Sequence, residues 1–254
     1  MTEIKSNSRT HIYFASDFHL GVPDHASSRQ REDLIVAWLN KIKNDALELY
    51  ILGDIFDFWF EYKTVIPKGF IRLQGKLAEF ADEGIPVHFF PGNHDLWMFD
   101  YFEKELNVFI HREPFKTTLG NKKFYLAHGD GLGPGDESYK ILKRVFANPA
   151  CKWLFGFLHP TIGMGIASLW SKKSRISSGK DERFLGEENE WLAIYSKEVL
   201  LKEHFDYFIF GHRHLPLTLK VGENSEYINL GEWMNYHTYV VFDGEKAELK
   251  TFEK

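Results

Sequence analysis

Five short runs of β-branched and aromatic residues recur along this 254-residue chain, at positions 11–16, 48–52, 86–90, 123–127 and 206–210. Each reads as a buried strand by residue type and length. Helical patterns separate the early ones. Leu34, Ile35, Trp38, Leu39 and Ile42 recur at helical spacing within 31–46, and Phe70, Leu73, Leu77 and Phe80 do so ahead of a stop at Gly84. Strand–helix–strand alternation predicts an α/β fold. Beyond residue 214, four more short runs (216–221, 226–230, 236–242, 247–252) are separated by turn residues at 222–224 and 243–244. They read as antiparallel strands completing a second sheet.

The length is at the upper end of what one hydrophobic core serves and suits one domain with an insertion as well as two domains; the chain is read as one domain, 1–254, with an insertion at 136–185. That stretch breaks the strand rhythm. It opens with a helical pattern (Tyr139, Leu142, Val145, Phe146) and continues into CKWLFGFLHPTIGMGIASLW at 151–170. The run is long enough to raise a membrane span. Lys152, His159 and Pro160 argue against one continuous helix, so two short amphipathic helices are expected. Lys143, Arg144, Lys172 and Lys173 flank it and could meet anionic lipid headgroups. The N-terminus has no basic stretch followed by an apolar core, so no secretory signal is expected. A net charge of −5 argues against a general nucleic-acid binder. The single cysteine, Cys151, allows no intrachain disulfide and has no histidine motif around it to suggest a nucleophile.

The polar residues at the end of each buried run narrow the chemistry. The first run leads into Asp17-Phe18-His19, the second into Gly53-Asp54, and the third into Gly92-Asn93-His94-Asp95. The fourth leads into His128-Gly129-Asp130 and the fifth into Gly211-His212-Arg213-His214. Any one of these has an ordinary reading as a cap, a turn or a strand-end histidine. All five at the same end of successive strands point to one ligand-binding rim, since open α/β sheets bind ligands beyond the carboxyl ends of their strands. Carboxylates, imidazoles and one amide oxygen, without thiolates, suit Mn²⁺, Fe²⁺ or Zn²⁺ in a reactive site better than a structural zinc. Two aspartates and four histidines exceed the needs of one ion. A shared carboxylate can hold two ions roughly 3.5–4 Å apart, as in displacement at phosphorus.

The ordered set D-x-H, GD, GNHD, HGD and GHRH, spanning residues 12–214, resembles the calcineurin-like metallophosphoesterase superfamily. That resemblance implies a sandwich of two β-sheets flanked by helices. It implies that Asp17, His19, Asp54 and His214 hold one ion while Asp54, Asn93, His128 and His212 hold a second. It also implies that His94 stands beside the phosphate as proton donor or charge stabiliser, with Asp95 orienting it. SDFHLG (16–21), GDIFDFW (53–59), PGNHD (91–95), LAHGDGLGPGDESY (126–139) and GHRHLP (211–216) are similar, more closely, to the UDP-2,3-diacylglucosamine pyrophosphohydrolases of lipid A synthesis. This second likeness implies hydrolysis of a UDP-linked diacylated glucosamine to UMP and the 1-phosphate, with two divalent ions, Mn²⁺ first among them. It further implies substrate contacts at Asn93, His94, Asp136 and Tyr139, and a helical lid over 136–185 that shelters acyl chains. Arg175, Ser178 and Lys180 are the candidate polar contacts in that lid. Localisation would be cytoplasmic, peripherally associated with the inner membrane; no nucleic-acid partner is expected, and the oligomeric state is left open.

Four positions in three places depart from the better-known members: His94 where they carry Arg, Arg213 and Leu215 in the last histidine loop, and Glu232 in the Leu230–Trp233 stretch. None is a metal-ligand position. The rival activity is a phosphodiesterase or phosphatase of the same superfamily acting on a soluble nucleotide or phosphoprotein; only the insertion separates the two. A non-enzymatic scaffold is disfavoured because every ligand position is filled.

Overall fold

The computed structural model describes the backbone of residues 9–134, 137–178, 183–184 and 186–253, and within these the side chains of all but 138, 168, 170 and 172–178. Its first sheet has six strands in the order β11-β10-β1-β2-β3-β4. These are β1 His11–Ala15, β2 Ala46–Ile51, β3 Val87–Phe89, β4 Phe109–Ile110, β10 Thr238–Phe242 and β11 Ala247–Thr251. Strands β1 to β4 are parallel, while β10 and β11 are antiparallel additions on the β1 side. The second sheet has the order β5-β6-β7-β9-β8: β5 Phe115–Leu119, β6 Lys122–Ala127, β7 Tyr207–Phe210, β8 Pro216–Gly222 and β9 Ser225–Leu230.

The strands read as unbroken apolar runs because each sheet is covered on both faces. Along β1, Ile12 and Phe14 point between the sheets, and Tyr13 and Ala15 point toward the helices. Phe14 stacks on Tyr50 and on Phe124 of the opposite sheet at 5.1 and 5.8 Å. Against the outer face of the first sheet pack α1 (His25–Ile42), α2 (Ile71–Asp82) and α3 (Tyr101–Leu106), through Trp38, Leu77 and Phe102. Helix α7 (Trp191–Leu200) covers the second sheet through Leu192 and Ala193.

Helix α1 begins six residues before the start expected from its apolar periodicity, because Asp24 caps it by accepting from Ser27 N. The C-terminal strands do not form one antiparallel group. Strands β8 and β9 join the second sheet, where β9 lies parallel to β7, and β10 and β11 return to the first. The short run at 109–110 and the polar β5 (FKTTL) carry too little apolar signal to be read as strands from sequence.

Between β6 and α7 come α4 (Glu137–Ala147), α5 (Pro149–Gly156) and α6 (Pro160–Ser178). The apolar stretch is thus divided just ahead of Pro160, as its ring requires. Among the described residues, no helix is long and apolar enough to cross a membrane. Lys143, its side chain partly exposed, pairs with the buried Asp130: its Nζ lies 2.7 Å from Asp130 Oδ2.

Candidate metal centre

The carboxyl ends of β1, β2, β3, β6 and β7 meet at one rim, and the loops there are bonded to one another. Asp17 N donates to Gly53 O (3.0 Å), His19 N to Asp54 O (2.9 Å) and Gly211 N to His128 O (2.9 Å). Arg31, from α1, donates to the carbonyls of Phe18, His19 and Val22 at 2.7, 2.6 and 2.5 Å. These bonds hold a backbone that L-residues rarely adopt. Asp17, His19, Asp54, His212 and His214 all have positive φ, between 43° and 68°. Such conformations cost about 1–3 kcal/mol each and persist where the surroundings over-determine them, which happens chiefly at functional sites.

Neighbouring glycines give these side chains their space. A Cβ on Gly92 would fall 2.2 Å from Asp54 Oδ1 and 2.7 Å from Asp54 N, and one on Gly211 would fall 2.4 Å from Asp17 Oδ2. Each aspartate takes one loop amide: Asp54 Oδ1 accepts from His94 N (2.9 Å), and Asp17 accepts from His212 N through both oxygens, Oδ2 at 3.0 Å and Oδ1 at 3.2 Å. Asp17 Oδ1 and Asp54 Oδ2 also face the imidazoles. Asp17 Oδ1 lies 3.7 Å from His19 Nε2 and 3.2 Å from His214 Nε2. Asp54 Oδ2 lies between two groups, 3.7 Å from His19 Nε2 on one side and 3.4 Å from His128 Nε2 on the other.

One donor atom from each of Asp17, His19, Asp54 and His214 lies within 4.8 Å of the others, a spacing that one divalent ion fits. On the far side of Asp54, Asn93 Oδ1 is 3.2 Å from His128 Nε2, and the His128 and His212 rings lie 5.1 Å apart. The seven residues singled out by sequence are therefore brought together, with Asp54 between the two halves. Their charge balance favours a cation. Asp17 and Asp54 are essentially unexposed. Burial opposes protonation of His128, yet the Asp54 carboxylate, with help from Asp17 and Asp130, raises it to about 10. Burial and the neighbouring charge of His128 push His212 down to about 4.

His94 is buried beside this group, its ring 5.0 Å from that of His19, and its Nδ1 faces the Asp57 carbonyl at 3.1 Å. Asp95 bonds to backbone amides on two loops. Its Oδ2 accepts from Ile55 N (2.8 Å) and Phe56 N (3.3 Å) and its Oδ1 from Gly92 N (2.7 Å), clamping the loop after β3 onto the loop after β2. Burial and the nearby Asp54 charge push its carboxyl up to about 7. Tyr139 donates to Asp130 Oδ2 at 2.5 Å. Asp136 and Lys180 lie outside the described residues, and the side chains of Arg175 and Ser178 lie outside the described ones.

Sequence reasoning passed over Asp57 and Ser171. Asp57 Oδ1 stands 3.8 Å from both His19 Nδ1 and His94 Nδ1, and Ser171 Oγ on α6 donates to Asp57 Oδ2 at 2.5 Å. For Asp57 there was a signal, a second carboxylate three residues after Asp54. Ser171 had none. Because Gly92 is packed on Asp54, Gly92→Ala is expected to displace that carboxylate and lower phosphodiester hydrolysis about a hundredfold, in line with the cost of an ångström-scale misplacement. Steady-state rates alongside an unchanged far-ultraviolet circular dichroism spectrum would check this.

Residues 10–216 match the family model described as calcineurin-like phosphoesterase. The chain is 40% identical to the UDP-2,3-diacylglucosamine hydrolase of Porphyromonas gingivalis, over 96% of this chain and 98% of that one. It is 30% identical to the protein of the same name from Vibrio atlanticus, over 95% and 97%. Vps29 from Entamoeba histolytica, solved with zinc, is similar in structure with a TM-score of 0.44 at 13% identity, covering 94% of this chain and 97% of that one. With the family model matched across both sheets and identity running nearly end to end, the chain belongs to the calcineurin-like phosphoesterase family.

Proposed function

We propose that this hydrolase cleaves the pyrophosphate bond of UDP-2,3-diacylglucosamine to UMP and 2,3-diacylglucosamine 1-phosphate, a step in lipid A biosynthesis. The observation that carries the reading is a cavity of about 240 Å³ whose lining joins Asn93 and His94 to Phe58, Trp97, Phe155 and Ile166. A polar cluster suited to phosphate and a space suited to hydrocarbon thus share two residues. The names of the relatives at 40% and 30% identity support the same substrate.

Asp17, His19, Asp54 and His214 would hold one divalent ion, and Asp54, Asn93, His128 and His212 the other. Mn²⁺ is the proposed metal, with Fe²⁺ and Zn²⁺ suited to the same donors. When bound, such a pair supplies charge neutralisation at phosphorus and a nucleophile at neutral pH. The protein's part is to orient. The Asp57 carbonyl fixes the rotation of His94, which would stand beside the phosphate as proton donor or charge stabiliser. Asp95 keeps Asn93 and His94 in register with Asp54 through its three amide bonds. Tyr139 would meet the head group near His212, 6.5 Å from it ring to ring.

The 136–185 stretch is read as a helical insertion serving as a lid within a single domain. Support comes from α6, which supplies Ile166 and Ala167 to the cavity and reaches Asp57 through Ser171. The enzyme would work at the cytoplasmic face of the inner membrane, held peripherally. On α5, at its C-cap and on α6, Trp153, Leu154, Phe157 and Leu169 are 60–73% exposed, an apolar surface that water alone does not favour.

Three measurements test this reading. Mn²⁺-loaded protein given the diacylated UDP-sugar is expected to release UMP, and Asp54→Ala to abolish that release; turnover of small soluble diesters alone would favour a nucleotide or phosphoprotein substrate instead. Ala167→Phe, which puts a ring into the cavity, is expected to raise KM for the diacylated substrate about tenfold, the worth of roughly two buried methylenes. It should leave hydrolysis of bis-p-nitrophenyl phosphate within about twofold, and equal effects on both substrates would count against the cavity as the acyl site. Phe157→Glu is expected to weaken partitioning onto anionic vesicles about tenfold, since a buried side chain of this kind contributes about 1.5–3 kcal/mol. Unchanged co-sedimentation would remove the membrane role of α5.

A further inference from the structure

Arg213 stands between two residues of the candidate metal centre, yet its side chain makes its contacts elsewhere. Its Nε lies 3.3 and 3.1 Å from the two carboxylate oxygens of Glu190, and its Nη2 donates to the Arg183 carbonyl at 3.0 Å. The guanidinium carbon sits 4.8 Å from the centre of the Trp191 ring. Glu190 also accepts from Tyr227 on β9, Oη to Oε1 at 3.2 Å. Both partners are buried, Arg213 5% and Glu190 1% exposed. Glu190 is the residue immediately before α7, where the chain re-enters the fold after the apolar helices.

A buried ion pair is a poor device for stability alone, because apolar residues of similar size often do as well in its place. Its position suggests another use. The residues on either side of Arg213 have φ of 68° (His212) and 54° (His214), and the Arg213 amide closes a tight turn onto Gly211 O at 2.8 Å. The His212 amide is held by Asp17 from the metal side. Arg213 anchors the same turn from the opposite side, to the segment that returns from the helices.

We infer that Arg213 is a positioning residue. Its pair with Glu190 fixes the turn that presents His212 and His214, and it couples metal affinity to the seating of Glu190 at the start of α7. The inference rests on the metal reading proposed above and goes beyond it by assigning a task to two residues that touch neither metal nor substrate.

The decisive variant is the double replacement Arg213→Met with Glu190→Leu, which leaves no unpaired buried charge. Mn²⁺ binding to the full-length protein would be followed by isothermal titration, and unfolding by a thermal melt without added metal. The wild-type protein is expected to bind two ions. The double variant should melt within a few degrees of it while losing at least tenfold in affinity for one or both. Arg213→Lys keeps the charge but loses the planar fork, and should fall between the two, restoring part of the affinity. If the double variant does not fold, Arg213→Lys carries the test by the same titration. Unchanged affinity in the folded variants, or a lowered melting temperature with affinity intact, overturns the inference. A wild-type chain that binds no Mn²⁺ overturns the metal reading itself, and this inference with it.

Discussion

Asp17 and Asp54 lie at the ends of neighbouring parallel strands with almost no contact with solvent. An isolated ionised carboxylate is among the most costly groups to bury, and proteins tolerate it only with hydrogen bonds and opposite charge close by. Each of these two is given one loop amide and is otherwise surrounded by imidazoles. Neutral imidazoles cannot balance two negative charges. The Asp54 carboxylate, with Asp17 and Asp130, favours a proton on the His128 ring that burial would otherwise keep neutral. Divalent cations balance the two charges more directly, through the same nitrogen and oxygen atoms.

Holding those atoms in place strains the chain. Five non-glycine residues in left-handed conformations at about 1–3 kcal/mol each sum to something on the order of 5–15 kcal/mol, which is the whole net stability of a typical protein. No single contact offsets that. The compensation is spread over Arg31 on three carbonyls, Asp95 on three amides, Asn229 on the Gly211 carbonyl at 2.5 Å, and a core of aromatic pairs beneath. The polar residues around the centre therefore matter by where they hold the backbone. Asp95 illustrates this. Sitting next to His94 in sequence, it acts on Ile55 and Phe56, forty and thirty-nine residues away.

This pattern explains what could be read from sequence. Strands buried on both faces leave an apolar signature, and the polar residue after each marks the rim, so the five strands that carry the seven candidate ligands were legible in the order of residues alone. Pairing was not. Strands β9 and β10 have similar composition, and only the tertiary packing sends one to each sheet. Strand β5 is half polar at the edge of its sheet and falls below any periodicity test. Asp57 and Ser171 were missed for a related reason. Their meaning lies in a contact across 114 positions of sequence: Asp57 reads only as a second carboxylate after Asp54, and Ser171 carries no signal of its own.

The helices between β6 and α7 raise a different physical question, namely why so much apolar surface is left facing outward. Trp153 and Phe157 pack edge to face at 4.5 Å and are still 65% and 71% exposed. At about 25 cal/mol per Å² of apolar surface, rings left in water forgo several kcal/mol that a core position would have captured. Arrangements of that kind persist where the surface has a use. The inner side of the same helices makes the use specific. Phe155 and Ile166 line a cavity that also includes Asn93 and His94, so hydrocarbon held there would lie next to the candidate metal centre. An outward apolar surface alone would suit any membrane-bound protein. An inward one that ends on Asn93 and His94 suits a substrate in which a fatty chain and a pyrophosphate belong to the same molecule.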